Sequence, residues 1–170
     1  MTDDARDVDW VGAVSALPRG AAVIVRHREM RAREALALRL RGVALARGVK
    51  LLIADDEALA VRVRADGMHV PQRHGAKVAA IKARHPQWLV TASAHDAAAM
   101  RLPADALIVG PVFATASHAG ASGLGLVLFA TLARKAPRVY ALGGVDAISV
   151  QRLSALPLSG VALIGGWIRS

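Results

Sequence analysis

Short apolar runs alternate along the chain with longer segments whose apolar residues fall three or four positions apart. The runs centre on Ala22, Ile24 and Val25; Leu51-Leu52-Ile53; Gly67-Met68-His69-Val70; Trp88-Leu89-Val90; Leu107-Ile108-Val109; Val139-Tyr140-Ala141-Leu142; and Val161-Ala162-Leu163-Ile164. Each has the length of a buried strand rather than a helix. Between them, Arg31 to Ala46 places Ala32, Leu36, Leu40 and Val43 on one helical face with arginines elsewhere. Lys77 to Arg84, Leu126 to Ala133 and Asp146 to Leu156 read as further helices. Strands apolar on both faces, alternating with helices, predict a helix-covered parallel sheet: a doubly wound sheet or a (β/α)8 barrel.

The strand ends favour the barrel. Leu142-Gly143-Gly144 and Ile164-Gly165-Gly166 place a glycine pair just past each of the last two runs. In (β/α)8 barrels the loops after strands seven and eight often hold phosphate through backbone N–H groups. The linker after Leu107-Ile108-Val109 reads GPVFATASHAGASGLG, mostly glycine, alanine and hydroxyl side chains. Small residues admit a ligand close to the backbone, and the hydroxyls of Thr115, Ser117 and Ser122 can bond anionic oxygens. A phosphate-binding loop and a mobile surface loop fit this composition equally.

At 170 residues and 54% hydrophobic, residues 1–170 suit a single domain with a sizeable core. With no cysteine, a disulfide framework and a thiolate metal site are both excluded, consistent with a cytoplasmic protein. The N-terminus MTDDARDVDW is acidic and lacks the apolar core of a signal peptide. Proline, glycines and His118 interrupt the longest uncharged stretch, so no membrane span or membrane partner is expected. The net charge of +9 comes mostly from arginines scattered over the helices, without interleaved aromatics, and a nucleic-acid partner is therefore not expected.

Ile53-Ala54-Asp55-Asp56, Ala65-Asp66-Gly67-Met68-His69-Val70-Pro71-Gln72, Ser93-Ala94-His95, Gly110 to His118 and Ala141 to Val145 resemble, in order and spacing, the motifs of the thiamine phosphate synthase family. That family includes a thiazole tautomerase branch, and the likeness covers nearly the whole chain. It implies a (β/α)8 TIM barrel, here expected to lack the first strand and the last helix. Only Met1 to Asp4 stand where the family has its first strand, Trp10 to Leu17 resembles the family's first helix, and six residues follow Ile164. Such a seam would leave unpaired strand edges, from which homo-oligomerisation is an expectation.

The resemblance also implies chemistry: joining a pyrimidine diphosphate to a thiazole phosphate, with loss of pyrophosphate assisted by Mg2+. It assigns the pyrophosphate to Arg28, Thr115, Ser117 and His118, the pyrimidine to Ser93, and the thiazole phosphate to Gly143, Gly144, Ile164 and Gly165. Asp55 and His74 fall where the family has metal carboxylates. Several positions depart from the pattern. Arg26-His27-Arg28-Glu29-Met30 keeps the arginine of the family's Gln-x-Arg-x-Lys but has methionine for the lysine. His74 replaces a carboxylate, although Mg2+ prefers oxygen ligands, and His118 replaces a loop lysine. With His118 in that place, pyrophosphate affinity is expected to rise as pH falls. Pro111 occupies the place of the tautomerase branch's catalytic histidine. No residue is therefore assigned as catalytic. The expected function is that of a thiamine phosphate synthase; the alternatives are a non-catalytic barrel for phosphorylated ligands and a thiazole tautomerase-like protein. His69 and His95 are expected to make structural hydrogen bonds.

Overall fold

A computed structural model describes residues 1–114 and 123–164. The elements run α1 (Trp10–Ser15), β1 (Ala22–Val25), α2 (Met30–Arg47), β2 (Lys50–Ala54), α3 (Glu57–Arg62), β3 (Gly67–Val70), α4 (Val78–Arg84), β4 (Leu89–Ala94), β5 (Ala106–Val109), α5 (Gly125–Ala133), β6 (Val139–Leu142), α6 (Ala147–Leu153) and β7 (Gly160–Ala162). The seven strands follow one another in the sheet in chain order. All seven runs marked out by hydrophobicity are strands, each shifted by no more than a few residues. The chain forms two compact units, the first holding Met1–His69, His85–Leu89 and Ile164, the second Val70–Arg84 and Val90–Leu163.

In the first unit β1, β2 and β3 pair in parallel, with Val23 opposite Leu51, Val25 opposite Ile53, and Ala54 opposite His69. Val23, Val25, Leu51 and Ile53 face Leu36, Ala37, Leu40 and Ala44 of α2 and Leu59 and Ala60 of α3 in one core. Alternation then turns Leu52 and Ala54 to the opposite face, where they are buried too. This explains why β2 carries no polar position to mark an exposed side. The face expected for α2 is corrected at its start: Ala32 is exposed, and Ala37 and Ala44 join Leu36 and Leu40 in the core. Asp66, just before β3, accepts from Leu51 N at 2.9 Å and from Arg41 Nη1 at 2.8 Å, tying α2 to the strand bottoms.

The second unit repeats that device. β4 to β7 pair in parallel, and Asp105, just before β5, accepts from Val90 N at 2.8 Å while its other oxygen takes Lys82 of α4. Val90, Ala92, Leu107, Val109, Phe129 and Ala141 are among its buried residues. Among the described residues no strand precedes α1. Instead Thr2 lies against the end of β1, its N–H donating to Ile24 O at 2.9 Å and its Oγ1 accepting from Arg26 N at 3.0 Å.

Candidate functional site

In the second unit, hydrogen bonds join successive strand ends. The N–H of His95, just past β4, donates to Gln72 Oε1 at 2.6 Å, and Gln72 Nε2 donates to Asp96 Oδ2 at 2.5 Å. Asp96 also accepts from Ala99 N at 2.9 Å; that N–H, and then the Gln72 amide, hold its carboxyl below the usual range. His95 Nδ1 lies 2.5 Å from Gly110 O, past the end of β5. A carbonyl oxygen only accepts, so Nδ1 carries a proton and donates it to this bond. The structural hydrogen bond expected of His95 is present.

The loop after β5 is seated on the turn after β6. Val112 N donates to Leu142 O at 2.8 Å and Phe113 N to Gly143 O at 3.1 Å. Gly143 and Gly144 have φ of 94° and 63°. A Cβ on Gly144 would stand 2.6 Å from Phe113 Cβ and 2.7 Å from Ala114 O, so both the left-handed backbone and the close approach require glycine. Arg152 of α6 lies 5.5 Å from the Phe113 ring centroid and holds the loop from outside. Asp146 caps α6 through Ile148 N and Ser149 N, with the Ser149 hydroxyl bonded back to Asp146 N. A carboxylate thus already takes these first helix donors.

The sequence-derived positions divide between the units. In the second, Ser93 is half-buried on β4 opposite Ile108, His74 lies in the 3-10 turn Gln72–Lys77 after β3, and Gly143 and Gly144 form the turn just described. In the first, Asp55 follows β2 with φ of 57°, uncommon for a residue with a side chain, and its N–H donates to His69 O at 2.9 Å. Asp56 beside it caps α3, accepting from Leu59 N at 2.8 Å. Arg28 is exposed before α2, its N–H donating to Asp4 Oδ2 at 2.8 Å, whereas Arg26 is paired with Asp3 at 2.9 Å. Ile164 follows β7 and is half-buried. Thr115, Ser117, His118 and Gly165 lie outside the described residues. Sequence reasoning gave no role to Gln72, quoted only within the Ala65 to Gln72 motif, or to Arg33, counted among the scattered arginines.

A family model described as thiamine monophosphate synthase matches residues 2–166. The chain belongs to that family. A thiamine-phosphate synthase of Gloeobacter violaceus is 32% identical over 149 residues, covering 84% of this chain and 44% of the relative. A protein called putative thiamine-phosphate synthase 2, from Aquifex aeolicus, is 30% identical over 137 residues, 76% of this chain and 73% of its own. The chain therefore spans less than half the length of the first relative. A solved structure titled thiamine phosphate pyrophosphorylase, from Pyrococcus furiosus, superposes with a TM-score of 0.79 at 22% identity, over 96% of this chain and 83% of that one. The fold is accordingly of the thiamine phosphate synthase type and TIM-barrel-like, with seven strands among the described residues, as the motifs led us to expect. No described helix is long and apolar enough to cross a membrane.

Proposed function

We propose that the chain binds a pyrimidine diphosphate and a thiazole phosphate and joins them, as thiamine phosphate synthases do. In this reaction the bond from the pyrimidine methylene to the diphosphate oxygen breaks, the electron pair leaves on pyrophosphate, and the thiazole takes the carbon. The observation that carries the reading is the Gly143–Gly144 turn, left-handed at both residues and packed on Phe113 and Ala114, at positions matching the family's thiazole phosphate cradle. Ser93 would contact the pyrimidine from β4. Thr115, Ser117 and His118 would meet the departing pyrophosphate, with Arg28 as a further cation.

The residues present fit a Mg2+ ion poorly. Among the described residues no three His, Asp or Glu side chains gather as a metal site, and Asp56, beside Asp55, is spent on capping α3. The proposal is tested by incubating the chain with pyrimidine diphosphate, thiazole phosphate and Mg2+ and following pyrophosphate release. Turnover that falls in Gly144→Ala, with a raised KM for the thiazole phosphate, is the expected result; absence of both turnover and thiazole phosphate binding would overturn the proposal. One observation favours a non-catalytic binder instead: Met30, at the position of the family's lysine, is an apolar side chain 63% exposed. Saturable binding of both ligands without turnover is the result that reading requires.

A further inference from the structure

Arg33, in the first turns of α2, is distinguished by a buried side-chain nitrogen that has no hydrogen-bond partner among the described residues. Arg41 is paired with Asp66 at 2.8 Å, Arg62 with Glu34 at 3.2 Å and Arg26 with Asp3 at 2.9 Å. Arg33 is half-buried; its backbone N–H donates to Glu29 O at 2.9 Å, but its side-chain Nε is shut off from solvent without a hydrogen-bond partner among the described residues. Leaving such a donor unmade is costly in a folded protein, so it calls for an acceptor that arrives from outside. Burial lowers the affinity of this guanidinium for its proton, while Asp56 and then Asp55 favour its charged form. An arginine in that balance stays charged. It therefore sits within electrostatic reach of the carboxylates after β2 without being consumed by them. It is also one helical turn beyond Met30 on the same helix, so the two residues share a face.

We infer that Arg33 is an anion-binding residue of the first unit, supplying fixed positive charge to the phosphate oxygens of a phosphorylated ligand without a bridging divalent ion. The inference rests on the proposed function for the identity of the ligand and concerns a residue to which that reading gives no role. A guanidinium suits it because its forked donors meet two phosphate oxygens at once.

The test is calorimetric titration of inorganic pyrophosphate into the full chain in EDTA, and again in excess Mg2+, for the parent, Arg33→Gln and Arg33→Lys, with melting curves confirming that each variant is folded. The parent is expected to bind in EDTA, Arg33→Gln to bind at least about tenfold more weakly, and Arg33→Lys to fall between them, since loss of one charge-assisted contact has about that effect. Equal affinity in parent and Arg33→Gln, or parent binding that appears only with Mg2+, overturns the inference. The turnover assay separates the two claims. Turnover with an affinity indifferent to Arg33 refutes the inference alone, whereas Arg33-dependent binding in EDTA without turnover supports the inference and removes the catalytic reading.

Discussion

Asp66 and Asp105 do the same work fifteen residues after the strand residue whose N–H they accept, Leu51 and Val90 respectively. Each also takes a cation from the helix that packs outside, Arg41 or Lys82. Asp66→Ala would leave the Leu51 N–H without its acceptor and Arg41 without its partner; a loss of about 1–3 kcal/mol in urea unfolding is expected from one orphaned buried donor. A left-handed Asp55 makes a separate prediction. Asp55→Gly and Asp55→Ala both remove the carboxylate, but only alanine keeps the strain of a Cβ at positive φ, so the glycine variant should be more stable by about 1–2 kcal/mol. Equal unfolding midpoints would mean that the backbone relaxes on substitution. Of the candidate side chains, Asp55 just after β2 and Ser93 within β4 were legible from their motifs, because short linear patterns preserve a residue's position relative to a strand. The role of Gln72 was not, because its bond to His95 N joins residues 23 apart and exists only once the chain after β3 lies beside β4.

Helix α6 is held at its start by a reciprocal cap, and the cap is pH-sensitive. The Ser149 backbone N–H, followed by its hydroxyl, lowers the Asp146 pKa. A carboxyl whose folded pKa lies below its unfolded value stabilises fully above the unfolded value and loses that contribution as pH falls through the folded one. Acid titration below the ordinary aspartate range should therefore weaken α6 in the parent. Asp146→Asn, which still offers an oxygen to the helix N–H groups, should lack that step; amide exchange across Ala147–Leu153 at descending pH checks it. Helix α2 supplies the packing counterpart. Leu40 is fully buried against β1 and β2, and Leu40→Ala should cost about 2–5 kcal/mol in urea unfolding. Its periodic face was legible from Leu36 and Leu40. The face failed at Ala32, because the first turn of α2 is where Arg33 and the exposed Met30 stand, and no core residue is wanted there.

The strand order ends at β1 and β7, and the two ends are finished differently. Thr2 covers part of β1 through its N–H and hydroxyl, whereas β7 is only three residues long and, among the described residues, pairs with β6 alone. An edge with free N–H and C=O groups invites pairing with another chain. Sedimentation velocity over a dilution series should thus show concentration-dependent self-association, and a sedimentation coefficient constant across the series would refute it. The number of strands, their alternation with helices and the glycine turn after β6 were determined by the sequence itself. Buried strands need uninterrupted apolar runs of about five residues, and a left-handed pair needs glycine wherever it occurs. Only the tertiary structure decided that Gln72, His95 and Gly110 form one chain of hydrogen bonds, that the loop after β5 rests on Gly143 and Gly144, and that the Nε of Arg33 is buried without a partner among the described residues. A hydrogen bond forms or fails within a few tenths of an ångström, and hydrophobic periodicity carries no distances between segments.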